Sequence, residues 1–106
     1  EMNRAGLMVD CSHVSKAGMM QAAELSRAPV AVTHACCAAL RPHPRNLDDE
    51  QLDMIRAVGG IAQVTAVASF LREAPAGGAA QATADDVAAH VDHAVRRIGL
   101  DHVGLS

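Results

Sequence analysis

Two apolar runs in this sequence each finish on a histidine. Leu7-Met8-Val9 leads through Asp10 and Cys11 to His13, and Val30-Ala31-Val32 leads through Thr33 to His34, 21 residues further on. If the runs are neighbouring parallel strands, ~4.8 Å apart, imidazoles at their tips converge on one point. Two neutral imidazoles so placed form a half-site for Zn²⁺ or a similar metal. Such a metal ionises a bound water near neutral pH, which suits attack on a carbonyl. Each histidine also has a plainer reading, as a hydrogen-bonded residue at a strand end. Arg45 lies 11 residues past His34, in the loop RPHPRN. Its planar fork matches a carboxylate; the plainer reading is a surface arginine capping its own loop.

The other histidines have weaker claims. His90 and His93 are spaced i, i+3, but the apolar stripe Val87, Val91, Ala94, Val95 and Ile98 puts His93 on the far side and His90 at the flank. Both are expected on a solvated face. His102 starts a strand at the end away from His13 and His34, and His43 sits in a rigid turn between Pro42 and Pro44. Cysteines number three, and Cys36 and Cys37 are adjacent. Adjacent Cα atoms are ~3.8 Å apart, too close for an ordinary disulfide. Reduced thiols of a cytosol-like compartment are expected, with Cys37 as a reactive thiol the alternative.

The elements that would position these groups alternate. Leu7–Ser12, Val30–Thr33, Ile61–Val67 and His102–Leu105 read as strands without polar alternation, as when both faces are covered. Ser15 caps a helix running to about Ser26. Asp48, with Gln51 three residues on and Leu47 and Leu52 at the staple positions, opens a second helix that Gly59-Gly60 ends. Thr83 caps a third, closed by Gly99, after a flexible Gly/Ala-rich stretch at 73–82. Residues 1–5 read as the tail of a further helix. The order is that of parallel α/β proteins, whose sites lie at the C-terminal edges of the strands. Two architectures fit: half of a (β/α)₈ barrel, or a small doubly wound sheet.

Composition narrows the function. The 106 residues fit one small domain or part of a larger one. They include 22 alanines, one phenylalanine and neither tryptophan nor tyrosine. The core is therefore thin, as in a piece that leans on more protein. Net charge is −3 with charges interspersed, and no basic stripe or aromatic platform suits nucleic acid. No apolar run reaches the ~18 residues of a membrane span, and no leader pattern opens the chain.

Taken together, the segments EMNRAGLMVDCSHVS, SRAPVAVTHACCAALRPHPRNLDDEQL, GGIAQVTAV and DDVAAHVDHAVRRIGLDHVGLS resemble the membrane (renal) dipeptidase family of zinc peptidases. The resemblance covers nearly the whole chain apart from the Gly/Ala-rich stretch. It implies a TIM barrel, a partial (β/α)₈ unit here, with about four parallel strands and three intervening helices. Residues 1–106 would form a single segment, the second half of that barrel. It implies hydrolysis of the amide bond of a dipeptide substrate by a metal-activated hydroxide at a two-zinc site. His13 and His34 match the two histidines that ligate one zinc, and Arg45 matches the arginine that receives the substrate's terminal carboxylate. Phe70 falls where some members carry a substrate-contacting tyrosine. Ala35-Cys36-Cys37 stands where many have Ser or Asn after the second histidine. The family's HxD motif, bridging glutamate and late aspartate are not in these residues; they are expected upstream and downstream, and the segment alone is expected to be inactive. The alternative is a non-catalytic α/β binding module that keeps the scaffold. A bacterial cytoplasmic location and a homodimer through open sheet edges complete the expectations.

Overall fold

The helix starts follow from short polar side chains that take the place of missing backbone acceptors. Ser15 accepts from the Gly18 N–H and opens α1 (Lys16–Leu25). Asp48 and Gln51 form a complete capping box at α2 (Asp49–Ala57). Thr83 and Asp86 form another at α4 (Ala84–Ile98). Between them run four strands: β1 (Val9–Asp10), β2 (Val30–Ala35), β3 (Ile61–Val64) and β4 (Val103–Leu105). All are parallel, in the order β1-β2-β3-β4. A computed structural model describes all residues, 1–106.

The long helices form one row, α1 beside α2 and α2 beside α4. They share one core with the strands: Met19 and Ala23 from α1, Leu52 and Ile55 from α2, Ala94 and Ile98 from α4, against Val30 and Val32 of β2. A doubly wound sheet would divide its helices between two faces. A single row over sequentially ordered parallel strands is the wall of a (β/α) barrel. A smaller cluster of Cys36, Val64 and Leu71 gathers Phe70, Val87 and Val91 around it.

The structure trims several expected boundaries. Leu7 and Met8 lie outside β1 and are exposed, and the first five residues make hydrogen-bonded turns rather than a helix. β3 stops at Val64, where the Thr65 N–H still reaches the Ala35 carbonyl. Residues 100–102 form a 3₁₀ turn, so His102 precedes its strand; its Nδ1 lies 2.9 Å from the Gly60 carbonyl. A fourth helix, α3 (Ala68–Leu71), is one turn long, too short to leave a periodic signal in the sequence. The stretch at 73–82 is irregular, as its composition suggests.

His90 is the largest correction. Its expected solvated face is instead the centre of the packed face: His90, Ala94 and Ile98 are the buried residues of α4. The i, i+4, i+8 row carries the contact, and Val87 and Val91 flank it. Both ring nitrogens of His90 have partners, the Cys37 N–H donating to Nδ1 and the Leu71 carbonyl 3.2 Å from Nε2. Burial lowers its pKa, so a neutral ring fills the site. His93 instead meets Asp49 of α2 at 2.9 Å. The two histidines therefore do not share a metal.

Gly60 shows how closely α2 returns to the sheet. A Cβ there would lie 2.4 Å from the Val30 carbonyl oxygen. Its φ is not positive, so an alanine meets no backbone strain; what opposes it is this contact together with the Ile55 carbonyl oxygen at 3.3 Å and the Ile55 side chain at 3.4 Å. Gly60→Ala is expected to lower unfolding free energy by about 1–3 kcal/mol, read from the urea midpoint at unchanged m-value.

Candidate functional site

The β1–β2 ladder ends early. Its last backbone bond runs from the Cys11 N–H to the Ala31 carbonyl at 2.8 Å. Beyond it the Asp10 carboxylate takes over. Oδ1 accepts from the Ser12 N–H at 3.0 Å, the Ser12 hydroxyl at 2.6 Å and the Thr33 N–H at 3.2 Å; Oδ2 accepts from the Thr33 hydroxyl at 2.6 Å. The His34 N–H donates to Ser12 Oγ at 3.2 Å. On its other side β2 slips by one residue against β3, between Val32 and Ala35. The slip is a bulge centred on Thr33 and His34, a device that re-aims a side chain at a strand end.

The result brings His13 and His34 together. Their Nε2 atoms lie 2.7 Å apart and their ring centroids 4.8 Å apart, with a 55° tilt. His13 is exposed and His34 half-buried. Arg45 reaches in from the β2–α2 loop: its Nε donates to the Ser12 carbonyl at 3.2 Å, and its Nη2 lies 3.2 Å from His13 Nε2. Phe70 flanks the guanidinium, whose carbon is 5.5 Å from the ring centroid, and stacks on His43 at 4.6 Å. His13, His34, Arg45 and Phe70, named from sequence, are thus neighbours. No three His, Cys, Asp or Glu side chains converge anywhere in the chain. The donor set at the strand tips is two imidazoles, a pair that suits a borderline metal cation.

Sequence reasoning missed the residues that hold the loop. Asn46 is buried and fully engaged: its carbonyl oxygen accepts from the Cys36 N–H, and its amide donates to the carbonyls of Arg41 and Phe70. An asparagine two residues past Pro44 was the available signal, since its amide can satisfy a tight loop from within. His43 Nδ1 accepts from the Arg45 N–H, which fixes the turn suggested by its two prolines. Asp10 and Thr33 also went unsingled.

The charge environment is set by the same contacts. Burial pushes the Asp10 carboxyl upward, but hydrogen bonds from Ser12 and Thr33 outweigh it and hold the pKa at about 2. Cys37 is not a reactive thiol. Burial, with Cys36 and Asp49 adding to it, raises its pKa to about 12. Cys11 and Cys36 are raised too, by burial first. All three thiols are free and buried.

Sequential parallel βα units that present polar side chains at adjacent strand tips are the working arrangement of TIM-barrel hydrolases. Comparison with known proteins agrees and is more specific. The family model for membrane dipeptidases, peptidase family M19, matches residues 1–106. Dipeptidase verJ of Clonostachys rogersoniana is 44% identical over 105 residues, 99% of this chain and 26% of that one. Dipeptidase tcpJ of Claviceps purpurea is 41% identical, with 99% and 24% covered. A metallo peptidase from Rhodobacter sphaeroides, solved with a phosphinate mimic of the dipeptide L-Ala-D-Ala, superposes with a TM-score of 0.89 at 40% identity, over 99% of this chain and 30% of that one. The chain belongs to the membrane dipeptidase family, and it spans about a quarter of the length of the curated relatives it matches. No helix is long and apolar enough to cross a membrane.

Two outcomes follow for this region. A thiol reagent such as Ellman's should find no reactive cysteine in the native chain and three after denaturation. The Asp10 pKa lies below its ordinary 3.8, so its network stabilises the fold above that pH and the benefit is lost as pH falls toward about 2. Discounted for exposure, the contribution is on the order of 1 kcal/mol. Acid titration of unfolding should therefore be shallower between these values in Asp10→Asn than in the parent.

Proposed function

We propose that the protein containing these residues is a zinc-dependent dipeptidase, with His13 and His34 as two ligands of a zinc ion and Arg45 as the cation that receives the substrate's terminal carboxylate. The observation that carries this reading is the 2.7 Å approach of the two Nε2 atoms at adjacent strand tips, with a guanidinium beside them. Neutral imidazoles suit zinc and its transition-metal neighbours rather than magnesium or calcium, and zinc is the metal that the family resemblance implies. A catalytic zinc takes about three protein donors, so at least one more is assigned to residues outside 1–106, and the segment alone is assigned no activity. The phosphinate dipeptide mimic bound by the Rhodobacter sphaeroides relative supports a dipeptide substrate.

Bound zinc supplies a Lewis acid for the scissile carbonyl and eases ionisation of a water. The chain's own residues do the rest. The bulged tip of β2 and the Asp10 network hold the two rings facing each other before any ligand arrives. Arg45 offers a fork to a free carboxylate close to the histidines, which selects substrates whose terminus lies one residue from the scissile bond. Phe70 presents an apolar ring with no hydroxyl to the same space, so it contributes contact and excludes water rather than donating a hydrogen bond.

In the intact protein, His34→Ala is expected to lose zinc and to abolish dipeptide hydrolysis; full zinc content and rate would refute the ligand role. Arg45→Met should lower kcat/KM for dipeptides by about 10- to 100-fold. The same change should leave substrates with an amidated C-terminus nearly unaffected, and equal losses for both would remove the carboxylate from the role of Arg45.

A further inference from the structure

At the tip of β2 the Asp10 carboxylate decides where the hydroxyl protons of Ser12 and Thr33 go. The Thr33 hydroxyl carries a single proton. Asp10 Oδ2, 2.6 Å away, is an acceptor only, so that proton goes to the carboxylate. Ser12 spends its own hydroxyl proton on Asp10 Oδ1, also at 2.6 Å. Toward His34 Nδ1, 2.9 Å away, Thr33 Oγ1 can therefore only accept. Nδ1 must carry the ring proton, and the opposite nitrogen, Nε2, is left with its lone pair. That nitrogen is the one facing His13.

We infer that Asp10 and Thr33 act as a positioning pair that fixes His34 as its Nδ1–H tautomer, through the chain Asp10 carboxylate, Thr33 hydroxyl and His34 ring, so that Nε2 is always ready to bind a cation. Histidine ligands are commonly oriented by a carboxylate on the far nitrogen; here a threonine hydroxyl stands between the two. The relay also explains why the bulge falls where it does. It turns Thr33 and His34 together, so the hydroxyl and the ring it instructs belong to consecutive residues. The consequence for metal binding rests on the ligand role proposed above for His34, whereas the tautomer itself does not.

The two partners fail differently. Thr33→Val removes the instruction and leaves a mixture of tautomers. Asp10→Asn reverses it: the amide that replaces Oδ2 donates to Thr33, the hydroxyl swings to donate to Nδ1, and the proton moves to Nε2, where it blocks a cation. Thr33→Ser keeps the hydroxyl and restores the parent behaviour.

The test uses the intact protein labelled with ¹⁵N-histidine and stripped of metal by a chelator, with the His34 signals assigned by their loss in His34→Ala. The parent and Thr33→Ser should show a protonated Nδ1 and an unprotonated Nε2, Thr33→Val averaged shifts, and Asp10→Asn the reversed pattern. Zinc affinity, read by chelator competition, should fall about 10- to 100-fold in Thr33→Val and further in Asp10→Asn. Unfolding midpoints of each variant establish that the measurements are made on folded protein, and Thr33→Val supplies the readout if Asp10→Asn does not fold. Parent-like shifts in Thr33→Val overturn the inference. Altered shifts with unaltered zinc affinity overturn its metal-binding consequence. Full zinc content in His34→Ala overturns the ligand role of His34 and leaves the tautomer result standing.

Discussion

Where the backbone ladder between β1 and β2 runs out, a single carboxylate continues it. Asp10 accepts four hydrogen bonds from Ser12 and Thr33, and so ties the end of a two-residue strand to its neighbour. Buried or half-buried backbone N–H groups must find partners. At the bulge of β2 the Thr33 and His34 amides find them in side chains of the β1 tip, Asp10 and Ser12. The bulge is tolerable because that carboxylate and hydroxyl are there. Without it, His34 would keep the regular alternation of a strand and its ring would take another direction.

A second polar device fastens the other half of the site. Asn46 joins the β2–α2 loop to the end of β2 and to α3 through one hydrogen bond each, and a third, to the Arg41 carbonyl, closes the loop on itself. His90 does the same from α4, tying the Cys37 amide to the Leu71 carbonyl. Each is buried with its hydrogen-bonding groups engaged, the condition under which a buried polar group adds rigidity instead of cost. Arg45 and Phe70 sit on the segments so held. Their neighbourhood to His13 is thus built from loop and helix contacts distant in sequence, laid over strands that supply the histidines.

The alanine-rich composition fits this division of labour. Small side chains let α1, α2 and α4 lie close to the sheet, as the 1% exposure of Ala94 and the tight turn at Gly60 show. They bury little area each, so large apolar anchors are few: Met19, Leu52, Ile55 and Ile98 carry the contact with Val30 and Val32. Rigidity near the site comes in good part from satisfied hydrogen bonds at the strand tips and loop.

Periodicity and capping residues by themselves determined the order of the main elements, because Ser15, Asp48 and Thr83 act on amides three residues away and need no tertiary partner. The parallel class and the pairing of His13 with His34 were equally legible, since a fixed strand spacing and one βα unit bring consecutive tips together. The position of Arg45 in the loop after the second strand pointed to the same rim, and the family resemblance added Phe70. Only the tertiary structure decided what depends on a register or a helix phase. It set the one-residue slip that turns His34, the rotation of α4 that takes His90 from the surface into the core, and the burial that silences Cys37. It also revealed the Asp10–Thr33 link, whose partners lie 23 residues apart. Neither residue signals the other in sequence, because a hydrogen bond across strands is specified by where the pairing stops, and that is settled by how the strands and helices pack together.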